Sequence, residues 1–250
     1  MKTAICISGH LRHYKNLKDN FQWFKKALQS FCDVDVFVAS WDKQNTLASW
    51  SHAHGLSNAE TVNNIINIDE VKNFYETDCV KLFDYDFYSS DYSPINYKNW
   101  TDKPYAWDVM GIGGNVIHSS KMFFLINESN KLKKRQEFIN GNKYDLVIRT
   151  RPDYQYSNLL VFENLKIKPN TIFSAKPPHS EIDDQFNMGD SDSMDKYSSC
   201  IFKQSSILNS NVWGNPEGIL LRSLQSFHDL NIEFIDRVGF LGSDVTHIKR

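Results

Sequence analysis

The sequence predicts an α/β fold in one domain, a mixed and mainly parallel sheet flanked by helices. Three observations carry that prediction. Strand-like and helix-like patterns alternate along the chain, and the first 42 residues contain a complete strand, helix and strand. The third is Leu146-Val147-Ile148, an apolar run without period, as suits a strand covered on both faces.

The elements follow in order. Residues 3–7 read as an apolar strand, Ser8-Gly9-His10-Leu11-Arg12 as a turn, and Phe21, Phe24 and Leu28 as the apolar positions of a helix. Asp33-Val34-Asp35-Val36-Phe37-Val38-Ala39 gives the second strand, closing on Ser40-Trp41-Asp42. Parallel pairing with a right-handed crossover is expected of such a unit. From Lys43 to Lys103 the periodicity is poor, although Ile65, Ile66, Val71 and Phe74 hint at short elements. A helix is predicted between Tyr105 and Asn130, with Val116, Met122, Phe123 and Leu125 among its apolar positions, opening at the flexible Gly111-Ile112-Gly113-Gly114. After the strand at 146–148 come an apolar segment at 159–162, a strand at 171–175 and a polar segment through Asp183-Asp184-Gln185-Phe186. The last third holds Met194 to Phe202, a helix near 216–230 and a strand at 232–235.

Composition narrows the function. The 250 residues carry a formal charge of -2, which leaves no basic footprint for nucleic acid. Cys6, Cys32, Cys79 and Cys200 are widely spaced, with neither a CxxC pair nor zinc-like spacing, so a reducing, cytoplasmic setting is expected. The apolar run at the start is too short for a signal peptide, and no window is long enough to span a bilayer, so at most peripheral membrane contact is expected. Aromatic residues make up 14% of the chain; most are read as core, some as faces on which a sugar could stack.

The chemistry concentrates where strands end. Tyr144-Asp145-Leu146-Val147-Ile148-Arg149-Thr150-Arg151-Pro152-Asp153 turns abruptly from apolar to charged, and Pro152 stops a central strand. In open α/β sheets ligands bind at the carboxyl ends of strands, so Arg149, Arg151 and Asp153 are delivered to a rim or cleft. Two cations beside one carboxylate suit a diphosphate and its metal, or else an internal ion pair. Ser8, Gly9 and Arg12 follow the first strand, where backbone and side chain can reach a phosphate or base; the same turn can be purely structural, since it lacks the GxGxxG and P-loop spacings. Asp42 ends the second strand, either as an acceptor for ribose or base or as a turn residue, and Lys121 is either a further cation for the cleft or a solvated lysine. Asp190, Asp192 and Asp195 lack the glycine and distant glutamate of an EF-hand and read as a solvated turn.

Taken together, Ile5 to Arg12, Asp35 to Asp42, Tyr144 to Asp153, Asp184-Gln185-Phe186 with Met194-Asp195, and Asn215-Pro216-Glu217 resemble a group of bacterial and large-virus GT-A-like glycosyltransferases of the surface-polysaccharide type. The resemblance implies a GT-A-like (Rossmann-like) single domain, with a nucleotide-binding half over about 1–153 and an acceptor-side half over about 154–250. It implies a nucleotide-sugar donor, with UDP as one candidate nucleotide, lying across the carboxyl ends of the sheet and a glycan or lipid-linked acceptor beside it. Ser8, Gly9, Arg12, Asp42, Lys121, Arg149 and Arg151 would hold the donor, and Asp153 falls where such enzymes carry the last aspartate of a DxD metal motif, binding Mn²⁺ or Mg²⁺. Position 151 departs from that motif, being arginine rather than aspartate, so either a metal or the arginines could carry the charge. Asp184 and Glu217 are the candidate catalytic bases, with Asp183 ambiguous beside its neighbour. A non-catalytic nucleotide-sugar or glycan binding module remains the alternative.

Overall fold

The computed structural model describes residues 1–12, 14–44, 64–85, 116–163, 165–175, 182–209 and 216–241. Its centre is a seven-stranded sheet ordered β10-β8-β9-β6-β1-β2-β5. The strands are β1 (Lys2–Ser8), β2 (Asp33–Trp41), β5 (Val80–Phe83), β6 (Leu146–Thr150), β8 (Thr171–Ala175), β9 (Phe186–Gly189) and β10 (Asn231–Ile235). All neighbours pair in parallel except β9, which runs antiparallel to both β6 and β8. Two short ladders lie outside it: β3 (Lys43–Gln44) with β4 (Asn64–Ile65), and β7 (Tyr154–Tyr156) with β11 (Gly239–Leu241). The expected mixed, mainly parallel α/β sheet is therefore present.

Alternation along the buried strands separates two apolar layers. One face carries Ile5, Ile7, Val36, Val38, Leu146 and Ile148 and is covered by α1 (Lys18–Gln29) and α2 (Ile68–Tyr75). Helix α1 lowers Phe21, Phe24 and Leu28 into this layer, and the Phe24 ring stacks flat on Tyr156 with centroids 3.8 Å apart. The opposite face carries Ala4, Cys6, Phe37, Ala39, Trp41 and Val147. It is covered by α3 (Val116–Asn140), α5 (Ser191–Ser198), the 3-10 turn Ser199–Phe202, α6 (Gln204–Asn209) and α7 (Pro216–Gln225). A short α4 (Leu160–Glu163) occupies the apolar segment after β7.

A buried charge network ties α3 to α5. Lys133 is fully buried, and its Nζ donates to Ser191 Oγ at 2.5 Å and to Asp195 Oδ1 at 3.0 Å, with Glu137 Oε2 also at 3.0 Å. Ser191 Oγ donates to Glu137 Oε1, which also accepts the Tyr144 N–H at the start of β6. The Lys133 ammonium has three partners and every carboxylate oxygen of Glu137 and Asp195 has at least one, which is the condition for buried charges to be tolerated.

Several boundaries differ from the sequence reading. Helix α3 runs to Asn140, ten residues beyond its expected end, because its last turns are polar and carry little apolar periodicity. Its expected beginning at residues 105–115, with Gly111-Ile112-Gly113-Gly114, lies outside the described residues. Strand β9 begins at Phe186, where the polar segment ends, and covers residues to which the sequence reading gives no element; β6 continues through Arg149 to Thr150. Arg149 is thus inside the sheet, not beyond its end. Among the described residues no helix is long and apolar enough to cross a membrane.

Candidate functional site

One edge of the sheet gathers the chemistry, and the reversed strand explains why. The carboxyl ends of β1, β2 and β6 bring Ser8, Asp42 and Arg149 to this edge, whereas β9 contributes its beginning, with Asp183 and Asp184 just before it. Arg149 pairs across the ladder with Asn187, which fixes the acids beside the arginines.

Arg149 is 1% exposed, and alternation aims it at the α3 and α5 face, toward Tyr197 and Cys200. Its Nε donates to Ser8 Oγ at 3.1 Å. Both terminal nitrogens, Nη1 and Nη2, are buried with no hydrogen-bond partner. A guanidinium in that state is costly, because buried donors without acceptors forfeit their hydration. It presents a two-pronged fork of the kind that grips a carboxylate or phosphate. On the neighbouring strand the Asn187 Oδ1 is also buried without a partner, while its Nδ2 donates to Asp183 O and Tyr197 Oη.

Arg151 has a different fate. Its Nε and Nη2 donate to Asp153 Oδ1 and Oδ2, both at 2.8 Å. Burial works against the charge on Arg151, but the Asp153 carboxylate, backed by Asp184 and Asp183, pushes its pKa up overall. Burial likewise opposes ionisation of Asp153, yet Arg151 and then Arg12 hold its carboxyl below the usual range. With both oxygens engaged by Arg151, Asp153 does not offer the open carboxylate a divalent cation needs. Among the described residues no group of three His, Cys, Asp or Glu side chains could hold a metal ion. These residues do not fit a metal at Asp153, because Arg151 has taken that carboxylate for itself.

The turn after β1 is shaped by Gly9. Its φ of +141° is open to glycine, and a Cβ there would stand 3.1 Å from Pro152 Cδ, so the β1 and β6 turns touch through this residue. Ser40 Oγ donates to the Gly9 carbonyl at 2.7 Å. Arg12 is half-buried; burial first, and then Arg151, bring its pKa down to about 10. Asp42 accepts the Tyr85 N–H on Oδ1 at 3.0 Å and acts here as a turn anchor, one of its two expected roles. Lys121 is buried on α3 rather than solvated: its Nζ lies 3.4 Å from the centroid of Tyr85 and 5.7 Å from that of Trp41.

His10, which the sequence reading passes over, stands among these groups. Its ring lies 5.3 Å from Tyr85 and 6.3 Å from Trp41, and its Nδ1 is buried without a partner. Burial, then the charges of Arg12, Lys121 and Arg151, hold its pKa well below the ordinary histidine value, with Asp153 a weaker opposing influence.

The acids before β9 are both buried, Asp183 at 5% and Asp184 at 8% exposure. Burial, and then the neighbouring Asp184 charge, raise Asp183 to about 6. Its Oδ1 accepts the Gln185 N–H at 2.8 Å, and Arg149 and Arg237 restrain the shift. Glu217 lies in the first turn of α7, a helix packed on α5, α6 and the 3-10 turn that holds Cys200. Eight of the ten expected site residues, Ser8, Gly9, Arg12, Lys121, Arg149, Arg151, Asp153 and Asp184, are thus linked by contact or charge at one edge; Asp42 is tied to the Tyr85 turn beside them. Glu217 stands in the first turn of the covering helix.

No protein-family model matches the chain, and no curated protein matches it. Solved structures with similar topology include mouse xyloside xylosyltransferase 1 in its apo form, at 11% identity and a TM-score of 0.42 over 94% of this chain and 84% of that one. An active-site mutant of LgtC gives 7% identity and 0.42 over 93% and 72%, and the glycosyltransferase GlyE of Streptococcus pneumoniae TIGR4 gives 9% and 0.38 over 93% and 44%. At these scores the likenesses carry no weight beside the geometry of the site.

Proposed function

We propose that the chain is a glycosyltransferase that moves a sugar from a nucleoside-diphosphate sugar to a glycan or lipid-linked acceptor, in the synthesis of surface polysaccharide or glycoprotein glycans. The observation that carries this reading is the Arg149 fork, buried at the edge of the sheet with both terminal nitrogens unpartnered. Such a group is retained at a cost to stability, and an anionic ligand is what would repay it.

In this mechanism the leaving nucleoside diphosphate gains negative charge as the glycosidic bond breaks. Arg149, with Arg12, Lys121 and Arg151 around the same edge, neutralises that charge, so cationic side chains supply the electrostatic stabilisation. The acceptor hydroxyl must lose a proton as it attacks. The coupled pair Asp183 and Asp184 takes that proton, with Asp183 the better poised because its pKa of about 6 lies closer to neutrality than an ordinary carboxylate. Glu217, on the helix that covers this face, is a second carboxylate for the acceptor side.

The test is turnover with a panel of UDP- and GDP-sugars, read as release of nucleoside diphosphate. Arg149→Ala is expected to abolish release and donor binding together, while Asp183→Asn with Asp184→Asn is expected to abolish release and keep binding. The Arg151–Asp153 pair, which removes the carboxylate of a metal motif, favours one competitor: a nucleotide-sugar binding module without turnover. Ordinary donor binding with neither transfer nor slow hydrolysis would decide for the module; full activity in Arg149→Ala would remove the site altogether.

A further inference from the structure

We propose that His10 is a ligand-responsive hydrogen-bond donor: when a phosphate group settles among Arg12, Lys121 and Arg151, the imidazole takes a proton from solvent and donates from Nδ1 to that phosphate. The inference rests on the anionic-donor reading above, and it assigns to the turn after β1 a role that backbone and arginine alone would not give it.

The geometry comes first. His10 Nδ1 is buried and unpartnered in a ring of Trp41, Tyr85 and Lys121, although buried imidazole nitrogens ordinarily find a partner. An anion held by the cationic side chains that act on this ring would supply the partner the nitrogen lacks. The charged groups that act on the imidazole come from every neighbouring element: Arg12 from its own turn, Lys121 from α3, and Arg151 with Asp153 from the end of β6. Three of those four are cations, so the neutral ring is enforced by charge as well as by burial.

A phosphate entering this setting reverses the balance. Two negative charges set against Arg12, Lys121 and Arg151 cancel the repulsion that keeps the ring neutral, and an anion beside Nδ1 favours the imidazolium. The proton is taken from solvent, no covalent bond in the ligand changes, and the ligand gains a charge-assisted hydrogen bond. By linkage, phosphate affinity rises as pH falls, since the bound state holds one more proton than the free state.

The direct readout is the His10 imidazole Cε1–H resonance, assigned as the one of eight histidine signals lost in His10→Gln, and titrated from pH 5 to 8 in the whole chain with and without saturating UDP. The expected result is a neutral ring across the range without UDP and a midpoint moved upward by at least one pH unit with it. Affinity measured for His10→Gln is expected to lose its rise toward low pH, once the titration of UDP itself is subtracted, while wild type keeps it. If UDP shifts other resonances and His10 stays neutral, the proposal is overturned and the donor site stands. If neither UDP nor GDP shifts any resonance, the donor-site reading fails and carries this inference with it. Should His10→Gln fold poorly, His10→Asn assigns the signal, and the wild-type titration alone decides.

Discussion

Arg149→Met separates a ligand-binding arginine from a structural one. Methionine keeps much of the side-chain length and removes the charge. In the unliganded protein it removes two buried terminal nitrogens that have no acceptor, and it gives up one hydrogen bond, Nε to Ser8 Oγ. Each unsatisfied donor costs about 1–3 kcal/mol, and a charged hydrogen bond returns about 1.5–3 kcal/mol. Replacing buried ionic groups by apolar ones of similar size is neutral to stabilising by about 1–4 kcal/mol. The expected net gain is about 1–3 kcal/mol, and at roughly 2–4 °C per kcal/mol for a chain of this size the melting temperature rises by about 2–12 °C. Saturating nucleotide reverses the contrast. Wild type with UDP at a hundred times its dissociation constant gains about 2.7 kcal/mol, whereas the variant gains nothing. The assay is differential scanning fluorimetry at pH 7.5, with and without UDP, supported by urea unfolding for the free energies. A variant less stable than wild type without ligand would mean that the guanidinium is a structural member, and a variant that still responds fully to UDP would refute its role in binding.

Two further outcomes follow from buried charge. Asp183 has a folded pKa raised to about 6 from 3.8, so its contribution to stability is complete below pH 4 and is lost as pH rises through 6. The difference amounts to about 3 kcal/mol, and thermal melts from pH 4 to 7 should show it in wild type and not in Asp183→Asn. At the other end of the sheet, Lys133→Ala leaves Glu137 without its cation and Asp195 with only the exposed Lys134. A loss of about 3–5 kcal/mol in urea unfolding is expected, and a loss under 1 kcal/mol would show the network to be slack.

What the sequence made legible is what local periodicity can encode. The β1, α1 and β2 unit follows from apolar runs and one amphipathic helix, and the structure pairs β1 with β2 in parallel as expected. Arg149 misled because the β-branched run stops at Ile148; only tertiary cover tells that a charged residue continues a buried strand. Strand β9 offers Phe186-Asn187-Met188-Gly189, two apolar residues alternating with an amide and a glycine, too short a pattern to separate from a loop. Missing it hid the reversal that brings Asp183 and Asp184 to the arginines. The pairing of Arg151 with Asp153 was one of two readings open in the sequence, since spacing alone cannot say whether a carboxylate faces a cation of its own chain or of a ligand. His10 left no signal at all: a lone histidine in a turn becomes informative through the rings and charges that distant segments place around it.

The order of strands also governs when this site can exist. The β1 to β6 pairing begins where Lys2 donates its backbone N–H to Asp145, 143 positions away. Ser8 and Arg149 meet only after that loop closes, and the acids before β9 arrive later still along the chain. Closing so long a loop is entropically costly and slow, and during synthesis at about 5–20 residues per second the first strand waits many seconds for its central neighbour. The first 140 residues can form the β1, β2 and β5 block, but they leave one edge of β1 open and no arginine fork beside it. The anion site is thus a reporter of global folding: nucleotide bound by a growing or truncated chain marks the moment at which its two halves have joined.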